Sequence, residues 1–533
     1  MRIRVRNVVL TLGALAGLAG LARADVKPHP LFADGAVLQR EIAVPVWGTA
    51  DDGEKVTVKI QDQAASTEAK DGKWLVRLKP LKAGGPFTLT IAGKNTIELK
   101  DVLVGEVWVC SGQSNMAMTM NRTYEADKAI AGSKDPMLRL FSVPGKVSDE
   151  PLRDFNAKGF PLQARQAWKA AEPGSVRNFS AVGYYFGRDL RKALGVPVGL
   201  INSSVGGTPA EAWTSRQALE SNPEFKSVFA ADAQMLKNYP MVLEHYETAL
   251  TKYKEEAAEA KKKGEEPKQA PRRPLGPNAT GRPAVLYNGM IAPLQPYAIR
   301  GAIWYQGEGN AGRAYQYQSL FSSMIKSWRD EWNQGEFPFL FVQLAPFMKI
   351  QEEPGESAWA ELRESQLKTS QTVPRTAMAV ITDVGEESDI HPKHKAEVGE
   401  RLGQAARALV YGEKIVGSGP EFTKLEVKGD KAILHFKNVG AGLVAKDGPL
   451  KGFTIARKDR VFHNADAEID GDTVVVHSEK VSEPVAVRFG WSNFPVVNLW
   501  NKDGLPATPF RSDDFPMSTV PKPRGATPRR AAR

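Results

Sequence analysis

A chain of 533 residues exceeds one ordinary hydrophobic core and implies two or three domains, and its 42% hydrophobic and 25% charged residues fit a soluble globular protein. Its net charge of +10 is not a basic face: four arginines (2, 4, 6 and 23) lie at the N-terminus and five cations (Lys522, Arg524, Arg529, Arg530 and Arg533) in the tail, so about +1 remains for the rest. That distribution argues against a nucleic-acid partner.

In chain order, residues 1–24 read as a signal peptide. Arg2, Arg4 and Arg6 precede the apolar run Val8–Leu21, and Ala22-Arg23-Ala24 offers a cleavage site after Ala24. The run is shorter than the ~20 residues of a spanning helix, and no other stretch is long and apolar enough. The expectation is a secreted or periplasmic protein with no membrane attachment after cleavage.

Residues 25–100 alternate in short runs (Ile42–Trp47, Lys55–Ile60, Trp74–Leu78, Thr88–Ile91) broken by Gly, Asp and Pro, which predicts a β-sandwich. From Val102 the texture changes. Buried-type strands (Val102–Val109, Val198–Asn202, Ile299–Trp304, Pro338–Gln343, Met378–Thr382) alternate with helices such as Val182–Leu194, Tyr315–Trp332 and Lys395–Tyr411, predicting an α/β domain with a mostly parallel sheet over 101–412. An Ala/Glu/Lys-rich insert over about 216–265, with Leu243, Tyr246, Leu250 and Tyr253 at helical spacing, predicts a helical hairpin. A Pro-rich linker follows to about 283. This insert reads as a solvated decoration. Strand texture returns over 413–520 (Lys424–Val427, Lys431–Phe436, Thr473–His477, Val485–Phe489) and predicts a C-terminal β-rich domain. The Pro/Ala/Gly-rich basic tail, 521–533, has no folding pattern.

Cys110 is the lone cysteine, so no intramolecular disulfide forms, and it reads as a small core residue. No Cys/His spacing suggests a zinc site, so neither metal nor cofactor is expected.

The chemistry points to the loops after the α/β strands, where open sheets build their sites. Val107-Trp108-Val109-Cys110-Ser111-Gly112-Gln113-Ser114-Asn115-Met116 runs a buried strand into a turn that exposes Ser114. Met116 stands where the Gly-x-Ser-x-Gly elbow has its last glycine, which disfavours an ordinary α/β-hydrolase. A serine nucleophile needs a base. Of seven histidines, His29 lies in the N-terminal β region, His245 on the insert, and His435, His463 and His477 in the C-terminal region. His391 and His394 remain, in Asp389-Ile390-His391-Pro392-Lys393-His394-Lys395. Asp389 is placed to orient His391, whereas His394 has no acid two residues before it and sits where a helix begins. Two further turns offer oxyanion donors: Ser203-Ser204-Val205-Gly206-Gly207-Thr208-Pro209 through backbone N–H groups, and Tyr305-Gln306-Gly307-Glu308-Gly309-Asn310 through side-chain amides.

Gly-Gln-Ser-Asn-Met, Gly-Gly-Thr-Pro-Ala-Glu-Ala-Trp (206–213), Trp-Tyr-Gln-Gly-Glu-Gly-Asn and Asp-Ile-His-Pro together resemble the sialate O-acetylesterase-like carbohydrate esterases, a branch of the SGNH hydrolases. The resemblance covers about 102–412. It implies a flavodoxin-like catalytic domain and metal-independent hydrolysis of sugar O-acetyl esters through an acetyl-enzyme. Ser114, His391 and Asp389 would be nucleophile, base and acid, and the Ser114 backbone, Gly207, Gln306 and Asn310 would form the oxyanion site. In this sequence Gly309 replaces the usual serine of the third motif. Acid and base are two residues apart rather than three, which keeps Asp383 as an alternative acid.

Glu308, Trp213 and Arg313 are candidate substrate contacts. A sialic acid substrate asks for a cation facing its carboxylate, for which Arg122, Arg177 and Arg313 are eligible; the reading leans to polysaccharide-derived sugars. Trp108, Trp213 and Trp304 are placed to stack on sugars or to pack inside. The rival from another class is a non-catalytic glycan-binding protein on a degenerate hydrolase core.

Overall fold

The computed structural model describes residues 25–155 and 167–521. The expected signal peptide and all but Pro521 of the basic tail lie outside the described residues.

The strand that carries Ser114, β1 (Thr96–Gly112), is 17 residues long and changes character midway. Its first residues alternate in exposure and pair antiparallel with Gly84–Ala92 in the N-terminal β region. From Val102 to Gly112 every side is buried, as a parallel strand covered on both faces requires. Residue 100, expected as a domain end, therefore lies inside a continuous strand.

The other core strands are β2 (Asp135–Ser142), β3 (Lys169–Ala171), β4 (Val198–Ser204), β5 (Gly301–Tyr305), β6 (Phe339–Val342) and β7 (Thr376–Ala379), in the order β3-β2-β4-β1-β5-β6-β7. All neighbours are parallel except the antiparallel edge strand β3. After β1 the chain places β2 and then β3 on one side, returns with β4 between β2 and β1, and from β5 builds outward on the other side. The crevice where this direction reverses lies at the carboxyl ends of β4, β1 and β5, where such sheets place their sites. The whole is a mixed α/β architecture with added β regions.

Helices cover both faces. On one face, α2 (Ala181–Leu194) and α6 (Lys395–Leu409) bury Val182, Phe186, Leu190, Val398 and Leu402 against Trp108 and Cys110 of β1. On the other, α4 (Ala314–Trp332) and α5 (Ala358–Thr372) bury Tyr317, Phe321 and Leu362 in a cluster that also contains Val107, Val109 and the core of the N-terminal β region. Two sheets build that region: Lys27–Pro28, Val44–Thr49 and Lys73–Leu78 in one, and strands continuous with β1 in the other. The C-terminal region has its own apolar cluster, including Leu434, Phe453, Val474, Val487 and Phe510.

The insert departs from expectation. Lys226–Lys263 is one 38-residue helix, α3, with no partner helix. The residues after its cap, Gly264, return without regular structure because Pro267, Pro271, Pro274, Pro277 and Pro283 remove donors and clash with helical geometry.

Two features of this fold give measurable outcomes. His29 is 4% exposed, accepts a hydrogen bond from Leu31 N–H at Nδ1 (3.3 Å) and packs on Trp47. Burial lowers its pKa from 6.5 to about 3. Between those values the unfolded chain binds the extra proton, so stability is lost as pH falls below 6.5, by up to about 1.4 kcal/mol per pH unit. His29→Gln should flatten that slope in urea titrations between pH 6.5 and 4; an unchanged slope would remove His29 as its source.

Gly112 has φ +138°, and a Cβ there would stand 2.1 Å from the carbonyl oxygen of Tyr305. Gly112→Ala should cost about 3 kcal/mol or more. A wild-type urea midpoint would mean that β1 and β5 part here freely.

Candidate active site

Gly112 allows β1 to end in close contact with β5, and Gln113 then fixes the turn. Its N–H donates to Tyr305 O (3.0 Å), its Oε1 accepts from Gly309 N–H (3.1 Å), and its carbonyl accepts from Met116 and Ala117 as the short helix α1 (Ser114–Ala117) begins. Ser114 is half-buried at the first position of that helix, and its hydroxyl has no hydrogen-bond partner among the described residues. The loop after β4 lies against it: a Cβ on Gly206 would be 3.4 Å from Ser114 Cβ. Gly206 and Gly207 are exposed, Gly207 takes φ +72°, and among the described residues their N–H groups and that of Ser114 have no acceptor. Free backbone donors beside an unbonded hydroxyl suit a developing oxyanion.

The loop after β5 is held by side chains from the same β4 loop. Asn310 Oδ1 accepts from Ala210 N–H (2.8 Å) and from Gln306 Nε2 (2.7 Å), while Asn310 Nδ2 donates to Glu211 Oε2 (2.9 Å). Gln306 Nε2 also reaches Thr208 O (3.3 Å), and Gln306 Oε1 accepts from Tyr317 OH (3.0 Å). Both Gln306 amide hydrogens are therefore committed, whereas Asn310 keeps one. Glu211 ties the group together, since its Oε1 takes Arg313 Nη2 at 2.5 Å.

The loop before α6 places Asp389 Oδ1 3.4 Å from His391 Nδ1, and the same oxygen accepts the His391 N–H at 2.9 Å. His391 is partly exposed. Its loop meets the Ser114 turn through Asn115, whose Nδ2 donates to Ile390 O (3.0 Å). His394 is engaged elsewhere, with Nδ1 3.1 Å from Glu397 and its ring stacked on Tyr124. Asp383 is gripped by Arg401 through two bonds of 2.6 and 2.7 Å.

Beneath these loops sits a buried polar group that the sequence reading missed. Lys395, 1% exposed, donates from Nζ to Asn115 Oδ1 (2.6 Å), and Asn115 Nδ2 donates to Glu308 Oε1 (2.5 Å). Burial pulls the Lys395 pKa down to about 7, opposed by Glu308, Asp389 and Glu386. Burial pushes Glu308 up, opposed by hydrogen bonds and by Lys395. Asn115 stands in the Ser114 motif and Lys395 four residues past His391, so proximity to two candidate residues was the available signal.

The structure thus gathers Ser114, Gly207, Asn310, Gln306, Asp389 and His391 on adjoining strand-end loops. It does not place Trp213 on a sugar-facing surface. Trp213 is 0% exposed, donates from Nε1 to Thr208 Oγ1 (2.9 Å) and packs edge-on against Trp304; Trp108 and Trp304 are equally buried. Glu308 and Arg313, also expected at the substrate, are committed to Asn115 and Glu211. Cys110 is buried against the helix layer, which pushes its thiol pKa up, in keeping with a packing role. Among the described residues no group of three or more His, Cys, Asp or Glu side chains is placed to hold a metal ion.

Residues 279–408, which contain the third motif and the Asp389–His391 loop, match the family model for carbohydrate esterases described as sialic acid-specific acetylesterases. The sialate O-acetylesterase of Rattus norvegicus is 32% identical over 433 residues, 75% of this chain and 76% of its own length. That of Homo sapiens is 31% identical over 429 residues, 75% and 74% of the two chains. Among solved structures, a carbohydrate acetylesterase from Xanthomonas citri is 38% identical and superposes with a TM-score of 0.78, covering 92% of this chain and 100% of that one. With relatives above 30% identity across three quarters of its length, the chain belongs to the sialate O-acetylesterase family of carbohydrate esterases.

Proposed function

We propose that this protein is a serine carbohydrate O-acetylesterase that transfers an acetyl group from a sugar hydroxyl to Ser114 and then to water. One observation carries the reading: the unbonded Ser114 hydroxyl belongs to a residue packed against Gly206, in a loop whose Gly206 and Gly207 N–H groups have no acceptor among the described residues, and its turn is tied to the Asp389–His391 loop. The relatives are sialate O-acetylesterases and a carbohydrate acetylesterase.

Ser114 Oγ attacks the ester carbonyl while His391 Nε2 takes its proton, Nδ1 facing Asp389. The tetrahedral oxyanion lies among the N–H groups of Ser114 and Gly207 and the free amide hydrogen of Asn310. Collapse breaks the bond to the sugar oxygen, which takes the proton from His391 and departs as the hydroxyl. Water, deprotonated by His391, then attacks the acetyl-enzyme, releasing acetate and restoring Ser114. Gln306 acts through Asn310, since its own donors are spent. Asp389 serves as acid rather than Asp383, whose carboxylate Arg401 already holds.

We keep the neutral, polysaccharide-derived sugar over sialic acid, because of the three eligible cations Arg313 is committed to Glu211, while Arg122 and Arg177 are exposed, Arg177 pairing with Asp127 at 3.9 Å, so none is a buried cation held ready for a carboxylate. Export through residues 1–24 belongs to the same proposal. Among the described residues no helix is long and apolar enough to cross a membrane.

Ser114→Ala and His391→Ala should each lower kcat/KM for an aryl acetate by about 10³-fold or more, and Ser114→Ala should abolish labelling by a fluorophosphonate. Wild-type hydrolysis by Ser114→Ala would overturn the mechanism. Absence of labelling in the wild type would favour a glycan-binding protein.

Asp389→Asn should lose about 10²-fold or more, whereas Asp383→Asn stays within a few-fold of wild type; the reverse order would make Asp383 the acid. In an acetate-release panel of acetylated xylan, mannan, xanthan-type oligosaccharides and sialic acid, faster release from sialic acid would overturn the neutral-sugar reading.

A further inference from the structure

Three strand-end loops meet at one side chain, Asn115, whose two amide hydrogens and carbonyl oxygen are all engaged. Nδ2 donates to Glu308 Oε1 in the loop after β5 and to Ile390 O in the histidine loop. Oδ1 accepts from Lys395 Nζ at the start of α6. Reversing the amide would face a donor with a donor at Lys395 and an acceptor with an acceptor at Glu308, so a single orientation satisfies the site. Lys395 is enclosed: its ammonium lies 5.1 Å from the centroid of the buried Tyr305 ring, and the carboxylates bearing on it are Glu308, Asp389 and Glu386. Glu308 Oε2 is buried without a partner. A buried ammonium and a buried carboxylate bridged by an amide are costly to assemble, and breaking either end strands a charge.

The chain positions of these groups give the network a direction. Asn115 follows Ser114, Ile390 precedes His391, and Glu308 lies between Gln306 and Asn310. The nucleophile, base and side-chain oxyanion donor are thus each next to, or two residues from, a member of one buried network that touches no reacting atom.

We infer that Lys395 is a positioning residue for the esterase reaction: by fixing the Asn115 amide it holds the His391 turn and the Asn310 loop in register with Ser114. The inference rests on the serine mechanism proposed above. Loss of that register should reduce turnover more than binding, because a displacement near 1 Å at the reacting groups costs about 10²-fold.

The experiment compares Lys395→Met, Glu308→Gln and the double variant with the wild-type full-length protein, reading kcat and KM for an aryl acetate and the thermal midpoint. Lys395→Met should lower kcat by about 10–100-fold while KM stays within about threefold. The double variant removes both charges and so recovers the thermal midpoint lost by Lys395→Met, yet should stay slow, because Asn115 Oδ1 still lacks its donor. It carries the same comparison if Lys395→Met alone fails to fold. Recovery of kcat together with the midpoint would reduce Lys395 to an ion-pair partner in folding and overturn the inference, as would wild-type kcat in Lys395→Met. Ser114→Ala is the control. Hydrolysis surviving in it overturns the serine reading, whereas an inactive Ser114→Ala beside a fully active Lys395→Met overturns the positioning role alone.

Discussion

Glu106 sits at the foot of the buried half of β1 with a fully enclosed side chain, and the rest of the molecule is arranged around that carboxylate. Arg40 Nε lies 2.5 Å away and Arg300 Nε 2.6 Å, while Gln39 Nε2 and the Tyr411 hydroxyl donate at 3.3 and 3.0 Å. Burial opposes the charge, but the two guanidiniums prevail and hold the Glu106 pKa below the usual carboxylate range. The four partners come from three parts of the fold: Gln39 and Arg40 from the N-terminal β region, Arg300 from the entry to β5, and Tyr411 from the end of the α6 segment. A buried charge of this kind loses about 3–5 kcal/mol when a partner is removed, so it sets where those elements meet β1. Six residues further on, at Gly112, the same strand delivers Ser114. The N-terminal β region is thereby part of the scaffold that positions Ser114.

The same logic explains what was legible in the chain. Elements whose burial is apolar stood out: Lys55–Ile60 and Thr473–His477 were read at their observed bounds, and α2 and α4 within a residue at their starts. Elements whose burial is polar did not. The strand β2 was missed because Arg139 interrupts Leu138 and Leu140; its guanidinium, 6% exposed, is neutralised by two bonds to Asp101, a partner 38 residues away. Helix α5 was missed for a stronger form of the same reason. Glu361, Arg363, Glu364, Ser365 and Gln366 are all buried, so its sequence carries no apolar stripe.

Those buried charges on α5 attach the C-terminal region to the core. Arg363 meets no carboxylate; its guanidinium donates to the carbonyls of Leu344, Ala345, Ser492 and Asn493, and enclosure lowers its pKa to about 9. Glu361 accepts the backbone N–H groups of Ser518 and Thr519, and Glu364 binds Arg511 at 2.9 Å. Directional bonds of this kind fix orientation where a flat apolar contact would permit sliding. In the site, likewise, the motif residues were readable as residue types. Which of them face the reacting atoms was not: Gln306, Glu308 and Arg313 look like ligand contacts in sequence, yet Gln306 is spent on Thr208, Asn310 and Tyr317, one Glu308 oxygen on Asn115 and one Arg313 nitrogen on Glu211. That division follows from partners distant in the chain.

The insert shows how far this bracing extends. Read as decoration, α3 and its return segment are nonetheless anchored at the end of the loop after β4. Gly281 lies against Pro209, since a Cβ there would be 3.4 Å from the proline ring. Arg282 binds Asp232 on α3 (3.1 Å) and Asp149 (2.8 Å), and Ala284 N–H donates to Glu211 O (2.9 Å). Farther out, Gly276 packs so closely on the Tyr239 ring that a Cβ would stand 2.2 Å from it, and Tyr239, Leu243, Tyr246, Leu250 and Tyr253 form a half-buried stripe along α3. A 38-residue helix spans about 57 Å, far more than anchoring requires. Its base is therefore under a different constraint from its tip: the base closes on Glu211, which holds Asn310, while the distal turns meet the return segment through Glu256, 3.9 Å from Lys268. Shortening the distal turns leaves the contacts at Pro209, Glu211 and Asp232 intact, and through them the geometry beside Ser114.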